Sequence, residues 1–350
     1  MIGAGERAYA YAKACGIIGK SFVGRRIAPL RHAGRLSELD RLIFGSQARD
    51  LPERELLPNL EKRLIQRSVD SILSVVNSYR PPPAFLIALI RVYEYADLKT
   101  ALALTGGTGP DASKPAFTPL VQNLKSWASR WGTVHFDAWP DPRKMLAGTE
   151  FEFLLDSAGK LRAEFDGVSL ETALDRHYYQ KLWEAARGLK KSDRLAAEKI
   201  TAEEISLRNC AWTLRLRTYY GMEGEEVKRR LIALDDYPRL RQDALAALEF
   251  PLDDRTPWEK WRRAGFLNLE GAARFEGGWR ADPRYFQNAC SRYLYKLALR
   301  LFRRRPSSLD ACFCFIKLKQ FEEDLLISDA EGLSMGMSGA DVFNVLERDA

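Results

Sequence analysis

The chain has 350 residues, 46% of them hydrophobic and 29% charged, a balance that builds a buried core and excludes disorder over most of the length. Its 54 basic and 47 acidic side chains leave +7, enough to favour an acidic partner or an anionic surface but far from a histone-like charge. The longest apolar runs, such as Phe85–Ile90 and Ala311–Ile316, reach only about six residues where a bilayer span needs about 20, so no membrane crossing is expected.

The opening Met1-Ile2-Gly3-Ala4-Gly5-Glu6 has neither the basic region nor the apolar core of a signal peptide, and none is expected. Ser37 before Glu38-Leu39-Asp40-Arg41-Leu42 predicts a helix start. A first segment reads as helix from about Leu60 to Tyr79, breaks at Arg80-Pro81-Pro82-Pro83, continues to Leu104 and exits through Gly106-Gly107-Thr108-Gly109. Asp141-Pro142 is a cap-plus-proline pair. Glu150–Leu154 and Lys160–Phe165 then alternate like strands around Asp156-Ser157-Ala158-Gly159, which predicts a small hairpin or an irregular excursion over 150–165. A second segment runs from about Leu170 to Gly188, breaks near Lys190-Lys191-Ser192-Asp193, and exits at Gly221-Met222-Glu223-Gly224. Within it Thr201-Ala202-Glu203-Glu204 has the layout of a capping box, as does Thr256-Pro257-Trp258-Glu259 further on. Asp282-Pro283 opens a third segment, from about Tyr285 to Arg305, which breaks at Pro306-Ser307-Ser308 and exits at Gly332-Leu333-Ser334-Met335-Gly336. Between these signals apolar residues recur at three- and four-residue steps, so the fold class is all-α.

The three segments share one layout: helix, break, second helix, glycine-rich exit. Each second helix also carries a polar residue on its apolar stripe. Asp97 sits with Ile90, Tyr93, Ala101 and Leu104, Asn209 with Ile205, Trp212 and Leu216, and Asp324 with Phe313, Gln320 and Ile327. Asp97 to Asn209 is 112 residues and Asn209 to Asp324 is 115, each close to a third of the 350. The spacing predicts three related helical units, 1–130 with the N-terminal helices, 131–240 and 241–350. A polar group on such a stripe needs a hydrogen-bond partner, since leaving it without one costs about 1–3 kcal/mol. A backbone amide or carbonyl from the facing helix or next loop would serve.

No catalytic constellation accompanies this layout. Gly106-Gly107-Thr108-Gly109 is followed by Pro110-Asp111 and lacks the Gly-Lys-Ser/Thr end of a P-loop. His32, His135 and His177 have no base or ligand partner at useful spacing. Cys312 and Cys314 would point about 200° apart on a helix, a poor start for zinc. The five cysteines, Cys15, Cys210, Cys290, Cys312 and Cys314, read as small buried hydrophobes in a reducing compartment. No Gly-x-Ser-x-Gly elbow is present, and pairs such as Glu203-Glu204 and Asp235-Asp236 read as helix-start charges. No cofactor, metal or enzymatic activity is expected. Basic clusters occur at Arg25-Arg26, Lys228-Arg229-Arg230, Lys260 with Arg262-Arg263, and Lys296, Arg300 and Arg303-Arg304-Arg305. Trp258, Trp261, Tyr293, Tyr295 and Phe302 lie near them. Their even spread favours solvated helix faces with core-facing aromatics over a nucleic-acid channel.

Several stretches resemble one family. They are Tyr9-Ala10-Tyr11-Ala12 with Leu36–Leu42, Tyr93-Glu94-Tyr95-Ala96-Asp97-Leu98-Lys99, Leu174–Leu182, Ile205-Ser206-Leu207-Arg208-Asn209 with Leu214–Arg217, and Ile316–Leu325. In order and over roughly residues 6 to 340, they resemble the C subunit of prokaryotic A/V-type ATP synthases, called subunit d in eukaryotic vacuolar ATPases. The chain departs from that pattern at Ser206, where the family usually has an acid, and at Ser328-Asp329, where it usually has a base.

The resemblance implies a pseudo-threefold helical funnel. That funnel would cap the membrane rotor ring and receive the foot of the central shaft, as a non-catalytic, peripheral part on the cytoplasmic face. Its implied partners are the shaft subunits and the ring, with no nucleic acid. Gly106, Gly107, Gly109, Gly221, Gly224, Gly332 and Gly336 then become candidate contact positions, because glycine permits sharp turns and close backbone approach. The alternative is a soluble helical adaptor or nucleic-acid-binding scaffold.

Overall fold

The computed structural model describes residues 3–105, 117, 132–165, 167–234, 237–266 and 278–345. Helix α1 (Ala4–Ile18), a 3₁₀ stretch over Gly24–His32 and α2 (Leu36–Phe44) come first. Next are α3 (Glu53–Val76), α4 (Ala84–Ile90) and α5 (Val92–Thr105), followed by the short α6 (Pro142–Leu146). Helices α7 (Gly167–Arg187) and α8 (Lys191–Tyr220) form a second long pair. The short α9 (Gly224–Arg230), α10 (Gln242–Leu248) and α11 (Thr256–Glu259) lead to a third pair, α12 (Pro283–Arg304) and α13 (Leu309–Ser334), and then α14 (Gly339–Val345). No strand occurs among the described residues. The fold is all-α.

The breaks fall where the backbone chemistry puts them. Pro81, Pro82 and Pro83 have no N–H to continue α3, and α4 starts immediately after them. Asp141 and Asp282 cap α6 and α12 ahead of first-turn prolines, accepting from the amides of Lys144 at 3.3 Å and Arg284 at 2.8 Å. Ser308 does the same for α13, its Oγ accepting from Ala311 N at 3.2 Å. Three expected starts are corrected. Thr201 lies inside α8 and is fully buried, because its helix is already running from Lys191. Thr256 caps nothing; its own amide donates to Asp254 Oδ1 at 2.9 Å. Ser37 sits in the first turn of α2, one residue past the helix start.

The excursion over 150–165 is irregular, with a single antiparallel bridge between Leu155 and Leu161. Asp156 closes the turn by accepting from the amides of Ala158 and Lys160, both at 2.9 Å. Gly159 holds φ +75 there, and the Arg143 stem packs where a Cβ would stand. Only glycine fits that position.

The organising element is α13. Every residue from Leu309 to Lys319 is buried, so no face of that half meets solvent, the pattern of a helix surrounded by others. Helices α1, α2, α3, α4, α8, α12 and α14 all pack on it. Cys312 and Cys314 point apart yet are both fully buried, which follows from that encirclement. One apolar cluster joins α1, α3, α4, α5 and α7 to the first half of α13. Another joins α2 and the start of α3 to its second half. A third lies apart, around Trp258, Trp261, Phe286, Cys210 and Cys290.

Candidate functional site

The first half of α13 has no open face and should carry no charge, yet it holds Lys317 and Lys319. Lys317 Nζ binds Glu204 Oε1 of α8 at 2.8 Å. The Tyr179 hydroxyl of α7 donates to the same Glu204 oxygen at 2.9 Å. Arg208 of α8 reaches Tyr179 Oη at 3.4 Å and Asp175 Oδ2 at 3.1 Å, and Lys99 of α5 binds Asp175 Oδ1 at 2.7 Å. The result is one polar relay, Lys317–Glu204–Tyr179–Arg208–Asp175–Lys99, running from α13 through the second helix pair to α5. Burial alone would raise the Asp175 pKa, but Arg208 and Lys99 hold it below the usual carboxylate range. Burial lifts the Tyr179 phenol well above its ordinary value. Asp175 therefore stays ionised and the Tyr179 hydroxyl stays neutral as a donor.

Two further anchors sit lower on α13. Lys319 and Glu322, each 2% exposed, pair with one another. Lys319 also reaches Ser21 Oγ at 3.3 Å, and Glu322 accepts from Phe22 N at 2.8 Å. This pins the segment after α1. Next along, the Tyr93 hydroxyl of α5 donates to Glu323 Oε2 at 2.7 Å, and burial raises the Glu323 carboxyl to about 7. At the α4–α5 break Arg91 serves the connection after α5: its Nε binds Glu94 at 2.6 Å and its guanidinium binds Glu150 at 2.5 Å. Glu94 in turn accepts from Val134 N at 2.9 Å. Removing one partner from a buried pair strands the other charge, at about 3–5 kcal/mol.

The three polar positions of the stripe differ in environment. Asn209 is 1% exposed; its Oδ1 accepts from Ile232 N at 2.8 Å and its Nδ2 donates to Ile232 O at 2.9 Å. It fastens the loop after α9 to α8. Asp97 is half-buried and Asp324 is exposed. Gly106, Gly107 and Gly109 lie outside the described residues. Gly221 takes a left-handed φ of +60 and ends α8, and Gly224 opens α9. Gly336, at φ +81, follows the end of α13. Gly332 needs correction as a loop position, because α13 extends to Ser334 and Val342 of α14 packs where a Gly332 side chain would stand. Its smallness lets two helices of this chain meet.

Sequence reasoning does not find the relay, although a signal exists: Lys317 and Lys319 interrupt the apolar run that starts at Leu309. Their type announces a buried cation needing an acid, but nothing local identifies Glu204 or Glu322. Among the described residues no group of three or more His, Cys, Asp or Glu is placed to hold a metal. Burial pushes the Cys312 thiol up to about 11 and His177 down to about 4, leaving neither a thiolate nor an imidazolium at neutral pH. Trp258, Trp261 and Phe302 are buried, so those aromatics near the basic clusters are spent on the core.

What fold and site define together is an all-helical scaffold cross-tied by buried ion pairs around one central helix. The profile of the ATP synthase (C/AC39) subunit matches residues 44–342, and the chain belongs to that family of V/A-type ATP synthase subunits. It is similar to an uncharacterized protein of Treponema pallidum, 25% identical over 334 residues that make up 94% of this chain and 92% of that protein. It is also similar to the C subunit of the A-type ATP synthase of Thermococcus gammatolerans, 38% identical over 88 residues, which are 25% of this chain and 23% of that one. No helix among the described residues is long and apolar enough to cross a membrane.

Proposed function

We propose that the chain is a non-catalytic central-stalk subunit of a V/A-type ATPase, coupling the membrane rotor ring to the central shaft. Three helical units, carried by α3–α5, α7–α8 and α12–α13, form the coupling body at the cytoplasmic face. The observation that carries this reading is the relay from Lys317 through Glu204, Tyr179, Arg208 and Asp175 to Lys99. A part that transmits torque must resist shear between its own helices. Apolar contact alone is non-directional, whereas ion pairs with directional hydrogen bonds fix register. The relay links all three long-helix groups, and family membership supplies the complex in which such a body would work.

The test is a native gel of detergent-solubilised membranes, probed for this chain and for the ATPase. A coupling subunit migrates with the rotor complex. Migration only as a free chain, or with polyanions, contradicts the reading. Calorimetry of the purified chain with magnesium ATP should show no saturable micromolar binding.

A further inference from the structure

Helix α12 has an inner and an outer face of opposite character. Tyr295, Ala298, Leu299, Leu301 and Phe302 face the core. On the outer side Lys296, Arg300, Arg303 and Arg304 are all exposed. At 100° per residue they fall within about 100° of arc and about 12 Å of helix length. None of the four has a carboxylate partner among the described residues. Several cations of the other basic clusters are committed to acids, Lys228 to Glu225, Arg230 to Glu226, and Arg262 and Arg263 to Asp243, as is Arg305 beyond the end of α12 to Asp310. Gly24 N donates to Tyr295 Oη at 2.6 Å, which brings the exposed Arg25 and Arg26 to the flank of the same helix.

The chemistry around this stripe narrows its partner. No large exposed apolar or aromatic side chain lies on α12. Bases would have nothing to stack on, and a bilayer would meet no wedge to bury. What remains is charge with direction. Arginine forks grip carboxylates two bonds at a time, and cations at i and i+4 have the spacing of carboxylates at i and i+4 on another helix. We infer that the outer face of α12, flanked by Arg25 and Arg26, docks an acidic helical segment of a partner polypeptide. This deepens the coupling reading and rests on it only for the existence of a polypeptide partner.

The test uses the full chain and three fluorescent or sedimenting probes: an oligomer of glutamate, vesicles of phosphatidylserine with phosphatidylcholine, and a single-stranded DNA oligomer. The variant Arg300→Glu/Arg303→Glu/Arg304→Glu is compared with Arg54→Glu/Lys160→Glu/Arg239→Glu, which makes the same charge change at exposed sites away from α12. The neutral set Arg300→Gln/Arg303→Gln/Arg304→Gln replaces the first if circular dichroism shows unfolding. The expected result is that wild type prefers the glutamate oligomer, that the α12 variant binds it about tenfold or more weakly, and that the control loses little. Added salt should erase the difference. Equal loss in both variants would reduce the effect to net charge and overturn the inference. So would absent binding, or tighter binding to vesicles or DNA. Co-migration of the wild-type chain with the ATPase is read separately, so failure of this surface leaves the coupling reading standing or falling on its own gel.

Discussion

Helices α12 and α13 are consecutive in the chain and pack against each other, yet they spend their cations in opposite ways. In α13 the ammonium groups of Lys317 and Lys319 are enclosed and matched to Glu204 and Glu322. In α12 Lys296, Arg300, Arg303 and Arg304 face outward with no carboxylate partner among the described residues. The same kind of charge ties the body together in one helix and is left available in the next. Burial decides which. An enclosed cation without an acid would cost several kcal/mol, while an exposed one costs almost nothing until a partner arrives.

The largest expected effect probes the inner helix. Glu322→Leu strands Lys319 and leaves the Phe22 amide without its acceptor. Stability should fall by about 3–5 kcal/mol, seen as a drop of about 10 °C in Tm at the size-dependent conversion for large domains. A drop under about 2 °C would mean that this pair does not hold the segment. Next comes Asn209→Leu, which removes both bonds to Ile232. It should cost about 1–3 kcal/mol and raise hydrogen exchange first in the loop after α9, leaving α13 protected.

A smaller, pH-dependent effect sits further along α13. Asp329 is fully buried, and burial raises its carboxyl to about 7. Its oxygens have no hydrogen-bond partner among the described residues. Because the folded pKa lies above the ordinary carboxylate value of about 4, the folded state binds the proton more tightly than the unfolded chain. Its neutral form costs no charge burial at low pH, and stability is lost as pH rises from about 4 to about 7. Asp329→Asn should match wild type below about pH 4, where the carboxyl is protonated in both states, and exceed it at about pH 8 by about 2–4 °C in Tm. Identical pH profiles would show that Asp329 does not titrate in the native state. The smallest stability effect belongs to the outer helix, where Arg300→Gln/Arg303→Gln/Arg304→Gln should move Tm by no more than about 1–2 °C, as for surface changes remote from core features. A large loss would place those side chains in the fold rather than on a contact surface.

The helices were largely legible because their punctuation is local. Pro81-Pro82-Pro83, Asp141-Pro142, Asp282-Pro283 and Ser308 act on neighbouring backbone, and each stands at a break or cap in the structure. Thr201 misled because a cap-like tetrad has no meaning once a helix is already running through it. Gly332 misled because a glycine near a helix end reads as a stop, while its reason here is Val342, a contact set by tertiary packing. The relay was illegible for the same cause. Lys317 and Glu204 are 113 residues apart, and no local pattern pairs them.

The most direct measurement of the proposed coupling role is ATP-driven ion transport in membrane vesicles prepared with and without this chain. If the chain is a non-catalytic coupler, vesicles lacking it still hydrolyse ATP but build no ion gradient, and added purified chain restores the gradient. A gradient that forms equally well without the chain, or hydrolysis that requires the chain's own chemistry, would contradict it.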